Sequence, residues 1–167
     1  MPTLLLMRHA EAGPVPAGGG DHDRPLTPAG MADAAAVGGE LARRGLTPAI
    51  ALVSTAQRTR DTVEAVRGAM PGTIDVMLEP ELYGADAETI LAWIRAHADT
   101  EASALVVGHN PGIAALAAAL ARGAGGPAMR AFAPATVAAF AFEGVGWPSR
   151  GARLIAVITP RDAKGHG

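Results

Sequence analysis

At 167 residues, 49% of them hydrophobic, the chain has the length of one domain and enough apolar material for a sizeable core, which excludes intrinsic disorder. The 14 Lys and Arg against 16 Asp and Glu leave a net charge of −2, so no overall basic surface argues for nucleic acid or an anionic membrane as partner. Cysteine is absent, which excludes disulfide scaffolds, zinc–thiolate sites and thiol nucleophiles.

The composition leans to alanine and glycine, with Lys164 the sole lysine and Asn110 the sole asparagine. A GC-rich bacterial genome produces this trade. Alanine-rich stretches therefore say little about helices, and arginines must be judged by position rather than number.

Residues 3–7 (TLLLM) form a short apolar run of the kind buried on both faces of a sheet, and the run breaks at Arg8-His9, too early for a signal peptide. Residues 11–25 contain GPVPAGGG without hydrophobic period, a loop long enough to expect a functional role. Thr27-Pro28 supplies an N-cap and first-turn proline for a helix to Arg44, stopped by Gly45. Residues 50–53 (IALV) are a second buried strand, after which Ser54 and Thr55 cap a helix to Ala69. Residues 74–78 form a weaker third strand, and Asp86 caps a helix to Ala98 with Ile90, Leu91 and Ile94 on one face. Residues 104–107 (ALVV) are the fourth strand, and Asn110-Pro111 opens a helix to Ala121 that is too short to span a membrane. A breaker at 123–127 precedes two closing strands, 136–142 and 153–159, joined by a turn through 144–151, and residues 164–167 are expected to fray. Repeated strand–helix alternation predicts a three-layer α/β/α sandwich with a mostly parallel central sheet. One domain over 1–160 with a C-terminal tail, 161–167, and a cytoplasmic location are expected.

Three strands end in related chemistry. The first runs into Arg8-His9, the second into Ser54 with Arg58 in the following helical turn, and the fourth into Gly108-His109-Asn110. Ligands of open α/β sheets collect at the carboxyl ends of strands, so these arginines, histidines and helix N-termini are expected on one edge. Such a pocket suits a phosphate dianion: arginine offers bidentate donors to phosphoryl oxygens, and neighbouring cations keep an imidazole neutral and nucleophilic.

The residues Leu6-Met7-Arg8-His9-Ala10-Glu11-Ala12 resemble the RHG/RHA signature of the histidine phosphatase (phosphoglycerate-mutase-like) superfamily. Ser54-Thr55-Ala56-Gln57-Arg58-Thr59-Arg60-Asp61-Thr62 resembles its S-P-x-x-R-A-x-Q-T block, and Gly108-His109-Asn110 its second-histidine motif. Arg24-Pro25-Leu26-Thr27-Pro28-Ala29-Gly30 is similar to the R-P-L-T-x-x-G stretch of its SixA-type phosphohistidine phosphatases. Ala10 stands for the usual glycine, Thr55 for proline and Asp61 for glutamine.

The resemblance implies that His9 is the nucleophile, that Arg8 and Arg58 clamp the phosphoryl oxygens, and that His109 donates to the transferring group. It also implies substrate contacts from Arg24 and Asn110, and a general acid in the neighbourhood of Glu81, with Glu79 and Asp86 also near. Neither a metal nor another cofactor is expected, since no carboxylate cluster has ligand spacing. His22 reads as solvated loop, with a contact at the rim of the site as its second reading, Trp93 as packing and His97 as a helix-end charge. The activity expected is a metal-independent phosphatase working through phosphohistidine on His9, with a phosphohistidine domain of another protein as substrate. The alternatives are a phosphatase of a small ester (a sugar phosphate or nucleotide-loop precursor) and a catalytically idle phosphate-binding module. With little chain between Ser54 and Gly108 to build a lid, an open site is expected.

Overall fold

The short apolar runs of the sequence become the strands of one six-stranded sheet. Thr3–Arg8 (β1), Ile50–Ser54 (β2), Asp75–Glu79 (β3) and Ala104–Gly108 (β4) pair in parallel, and Val137–Phe142 (β5) and Ala152–Ile158 (β6) add antiparallel beside β1. The strand order is β3-β2-β4-β1-β5-β6. The structure, a computed structural model, describes residues 2–98, 103–123, 132–143, 147 and 152–165.

Side chains alternate across the sheet, so each strand feeds two apolar layers. Leu5, Met7, Ala51, Val53, Leu105 and Val107 pack on one face against Pro28–Arg43 (α1) and Gln57–Gly68 (α2), through Val37, Leu41, Val63 and Val66. Leu4, Leu6, Leu52 and Val106 pack on the other against Ala87–His97 (α3) and Gly112–Gly123 (α4), through Ile90, Ile94, Ile113 and Leu116. This is the expected three-layer α/β/α sandwich. Both layers draw on β1, β2 and β4, which explains why these runs are unbroken in apolar residues rather than alternating. Among the described residues, no helix is long and apolar enough to cross a membrane.

Local signals account for most boundaries. The Thr27 hydroxyl accepts from Gly30 N at 3.0 Å, Pro28 starts α1, and Gly45 takes the left-handed φ of 71° that ends the turn beyond it. Asp86 accepts from Thr89 N at 2.8 Å and so caps α3.

Three boundaries differ from expectation. The second helix begins at Gln57 with Ala56 as its N-cap, not Ser54 or Thr55. The hydroxyls of Ser54 and Thr55 pair with His109 and His22 instead. The fourth helix begins at Gly112, and Asn110 does not cap it: its Oδ1 accepts no hydrogen bond, and its amide nitrogen donates to the Phe132 carbonyl. Of the tail expected to fray, only Lys164 and Gly165 fall within the described residues: Pro160–Lys164 (α5) opens with a Thr159–Asp162 capping box, and Lys164 forms an ion pair with Asp33 of α1. Of the expected breaker and closing turn, only Gly123 and Trp147 fall within the described residues.

The connections place the site. The helix after β1 packs on one face of the sheet and the helix after β4 on the opposite face, although β1 and β4 are neighbours. A crevice therefore opens between their carboxyl ends.

One close approach holds the segment after β1. A Cβ at Gly30 would lie 2.3 Å from the Glu11 carbonyl oxygen, whereas one at Gly39, on the same helix, meets nothing within 4 Å. Gly30→Ala is expected to cost about 1–3 kcal/mol of stability by overpacking. Gly39→Ala is expected to raise stability by about 0.5–1 kcal/mol through helix propensity. Urea midpoints of the two variants check this, and shifts of the same sign would contradict it.

Candidate active site

Strand register brings the two histidines together. Arg8 is opposite Gly108 and Ser54 lies at the end of β2 on the other side of β4, so the next residues of β1 and β4 are His9 and His109. The His9 backbone N–H donates to the Gly108 carbonyl at 3.1 Å, and the two imidazole centroids are 5.3 Å apart at 56°. Gly108 keeps the turn into α4 tight, since a Cβ there would meet Ile113 Cγ1 at 3.0 Å.

Each imidazole is oriented by one hydrogen bond. His9 Nδ1 lies 2.7 Å from the Ala10 carbonyl oxygen. A carbonyl only accepts, so Nδ1 carries the proton and Nε2 keeps its lone pair. His109 Nε2 shares a hydrogen bond with Ser54 Oγ at 2.8 Å, while its Nδ1 is buried without a partner.

Guanidinium groups surround the pair. Arg8 donates from Nη1 to the Phe132 carbonyl at 3.1 Å, and its Nε is buried and unpartnered. Arg58, 7% exposed on the first turn of α2, donates from Nη1 to the Asp21 carbonyl at 2.8 Å and from Nη2 to Asp21 Oδ2 at 3.0 Å. Arg24 donates from Nε to the Gly13 carbonyl at 2.8 Å and from Nη1 to Asp21 Oδ1 at 3.2 Å. Buried polar atoms without partners are uncommon in folded proteins, and here Arg8 Nε and His109 Nδ1 belong to the same pair of strand ends. An arginine N–H, and a protonated Nδ1, are donors suited to an oxyanion.

Burial and positive charge both keep the imidazoles neutral. The His9 pKa falls from 6.5 to about 4, chiefly through burial, opposed by the hydrogen bond to Ala10 and reinforced by Arg58, Arg8 and Arg24. His109 falls from 6.5 to about 3, again by burial first and then by Arg58 and His9, with the Asp21 carboxylate pulling the other way. Burial also lowers the Arg8 pKa. The arrangement holds a neutral imidazole lone pair among cations, which suits attack on phosphorus.

The family model of the histidine phosphatase superfamily (branch 1) matches residues 4–90. The chain belongs to the histidine phosphatase superfamily. It is 40% identical over 117 residues to the uncharacterised protein Rv1276c of Mycobacterium tuberculosis, covering 69% of this chain and 70% of that one. It also resembles the structure of a candidate phosphohistidine phosphatase SixA from Nakamurella multipartitia, with 38% identity, a TM-score of 0.80, and coverage of 95% of this chain and 96% of the other. A second such SixA structure, from Agrobacterium tumefaciens, shares 32% identity at a TM-score of 0.77, over 95% and 99% of the two chains.

Against the superfamily's motifs, the structure gathers Arg8, His9, Arg58 and His109 at one sheet edge, with Arg24 near enough to act on the ionisation of His9. Asn110 is beside them; one of its two amide N–H groups donates to the Phe132 carbonyl, the acceptor that Arg8 also uses, and its Oδ1 is buried and unpartnered. The three acidic residues named as possible acids are not gathered with the histidines by any side-chain contact. Glu81 accepts from the Trp93 indole N–H at 3.1 Å, Asp86 caps α3, and Glu79 lies at the end of β3 opposite Ser54. Among the described residues, no group of three or more His, Asp or Glu is placed to hold a metal ion.

Three participants escape the sequence reading. Tyr83 stands edge-on to His109, with ring centroids 5.4 Å apart at 87°, and its hydroxyl donates to Asp21 Oδ2 at 2.5 Å. Asp21 joins Tyr83, Arg24 and Arg58. His22, expected as solvated loop, pairs with Thr55 at 2.9 Å and packs edge-on to Tyr83. Ser54, which the sequence placed at this edge, holds His109, and its hydroxyl also accepts from Ala56 N at 3.3 Å. Loop residues without periodicity gave no signal for these contacts. The Asp21-His22-Asp23 cluster before Arg24 was the only compositional hint.

In an NMR titration of imidazole resonances, His9 and His109 are expected to stay neutral where an ordinary histidine titrates, near 6.5, and to protonate only toward about 4 and about 3. Since the folded values lie below the unfolded ones, the unfolded chain binds these protons first. Stability is therefore lost as pH falls below 6.5 toward 4. A His9 midpoint near 6.5 would contradict the burial and charge described.

Proposed function

We propose that the protein is a phosphatase that forms a phosphohistidine on His9 and acts on phosphohistidine side chains of another protein. The observation that carries the reading is the His9 tautomer: Nδ1–H is committed to the Ala10 carbonyl at 2.7 Å, which leaves Nε2 as the free nucleophile beside unpartnered buried donors of Arg8 and His109. Nε2 attacks phosphorus, the bond from phosphorus to the leaving group breaks, and a water molecule then cleaves the P–Nε2 bond to release inorganic phosphate and neutral His9. Arg8, Arg58 and Arg24 offset the charge on the equatorial oxygens, and neutral His109, with its proton on Nδ1 and Nε2 accepting from the Ser54 hydroxyl, donates from Nδ1. In phosphoryl transfer such positioning and charge stabilisation supply most of the rate. Asn110 holds the Phe132 backbone in place for Arg8.

Two features support a phosphoprotein substrate. None of Glu79, Glu81 and Asp86 contacts the histidine pair, and Glu81 and Asp86 are engaged by Trp93 and Thr89. An alkoxide leaving group needs a proton at that point, whereas an imidazole protonated on its far nitrogen leaves without one. Between β2 and β4, the described residues build only α2, β3, a 3-10 turn at Pro80–Leu82 and α3, with no further helix over the crevice. An open crevice admits a side chain presented on another protein's surface. The two SixA structures of 38% and 32% identity point the same way.

The test compares rates in EDTA on a phosphohistidine-bearing carrier domain and on a panel of small phosphate esters. Preference for the phosphoprotein, abolished in His9→Ala, is the expected result. Preference for one small ester would keep the His9 chemistry and overturn the substrate. No turnover together with phosphate binding would identify an idle binding module. Arg58→Ala is expected to lower turnover by roughly 10²–10³, the scale of losing one transition-state donor. A wild-type rate would remove Arg58 from the mechanism.

A further inference from the structure

We infer that Asp21 is the positioning residue of this site: it aims Arg58 and Tyr83, and its charge limits how tightly the surrounding arginines hold an oxyanion. Its bearing on turnover presupposes the phosphatase reading, while its bearing on anion affinity does not.

Asp21 stands on a 3-10 turn, Asp21–Asp23, inside the long loop. One residue gives Arg58 two acceptors, the carbonyl to Nη1 at 2.8 Å and Oδ2 to Nη2 at 3.0 Å. The same Oδ2 accepts the Tyr83 hydroxyl at 2.5 Å, and Oδ1 accepts Arg24 Nη1 at 3.2 Å. Side chains from the loop, from α2 and from the stretch before α3 thus meet on one carboxylate. An exposed ion pair alone contributes little, and the Asp21 side chain is 51% exposed. The difference here is its partner: the Arg58 side chain is 9% exposed and held on two donors, so its orientation depends on Asp21.

The contacts describe a brace rather than a plug. A guanidinium has five N–H donors, and Asp21 takes two of those on Arg58, which leaves the remainder for phosphoryl oxygens. Tyr83, fixed by the same carboxylate, lies under Arg58 at 5.9 Å and edge-on to His109, so the brace reaches the second histidine as well. The loop is anchored on both sides of it: Gly20 N donates to Asp23 Oδ2 at 2.9 Å, His22 pairs with Thr55 at 2.9 Å, and Leu26 N donates to Asp61 Oδ2 at 3.1 Å. Charge supplies the second role. Arg8, Arg24 and Arg58 together would grip product phosphate strongly, and Asp21, kept ionised by its hydrogen bonds from Tyr83, Arg24 and Arg58, offsets part of that grip.

Two substitutions separate the roles in the full-length protein. Asp21→Asn keeps an oxygen acceptor for Tyr83 and Arg58 and removes the charge, while Asp21→Ala removes both. Calorimetry with inorganic phosphate reads affinity, and hydrolysis of an aryl phosphate reads kcat and KM. Asp21→Asn is expected to bind phosphate roughly tenfold more tightly than wild type, the scale of deleting one like charge several ångströms away at intermediate dielectric. Asp21→Ala is expected to lower kcat by roughly 10–100-fold, since small misplacements of a positioning group cost that much. A purely structural loop residue would weaken phosphate binding in both variants. Unchanged or weaker binding by Asp21→Asn, no phosphate binding by any form, or an unchanged kcat in Asp21→Ala would each overturn the inference. A wild type that binds phosphate without turnover would overturn the phosphatase reading, and the affinity comparison would still decide the role of the charge.

Discussion

The parallel pairing of β1 with β4 is the constraint on which the site depends. With Arg8 opposite Gly108, each strand's next residue is a histidine, and the two imidazoles sit at the spacing of neighbouring strands. A slip of one residue would send His9 to the other face of the sheet and expose the Leu4 and Leu6 side chains to the wrong layer. The register is secured from both sides, since β1 also pairs with β5 from Thr3 to Met7 and β4 pairs with β2 from Ala104 to Val107. The crevice at this edge follows from topology rather than from the histidines, because α1 and α4 leave the adjacent strands toward opposite faces.

The strand ends carry costs that the rest of the fold absorbs. Arg8 Nε, His109 Nδ1 and Asn110 Oδ1 are buried without partners, and each such atom typically costs about 1–3 kcal/mol. Ala135 adopts a left-handed φ of 61°, and its N–H is shared between the Arg8 and His9 carbonyls. A non-glycine residue in that region stores strain of about 1–2 kcal/mol. Strain and unmet hydrogen bonds thus gather around His9, while the two apolar layers beneath are buried. The same burial that leaves donors unpartnered keeps both imidazoles neutral, so destabilisation and reactivity share one physical origin.

The long loop has the opposite character. It has little apolar content and is held by hydrogen bonds: Gly13 to Pro25, Arg24 to Gly13, and Leu26 to Asp61. Asp61, which stands where relatives in the superfamily often have glutamine, accepts from both Leu26 N and Gln57 Nε2, and so ties the R-P-L-T stretch to the first turn of α2. The departure is therefore accommodated as an anchor for the segment that carries Arg24. Polar fastening of this kind positions Arg24 while leaving its side chain 33% exposed.

Periodicity and local chemistry were enough to place the strands and the helices, because an apolar run buried on two faces and a Thr-Pro or Asp cap act over a few residues. The strand-end positions of Arg8, His9, Arg58 and His109 were likewise legible, since strand ends in such sheets face one edge. Contacts between segments distant in sequence were not. Ser54 and Thr55 look like helix caps until His109 and His22 arrive to claim their hydroxyls, and Lys164 looks like the start of a frayed tail until α1 brings Asp33 to it. Asp21 and Tyr83 are 62 residues apart in the chain and carry no periodic signal, yet they meet at 2.5 Å. Glu81 shows the converse, a plausible acid by position whose carboxylate is turned to Trp93 once α3 packs beside it. Local rules settle backbone and face, whereas side-chain partners depend on which segments packing brings within hydrogen-bond range, and that is a property of the assembled chain.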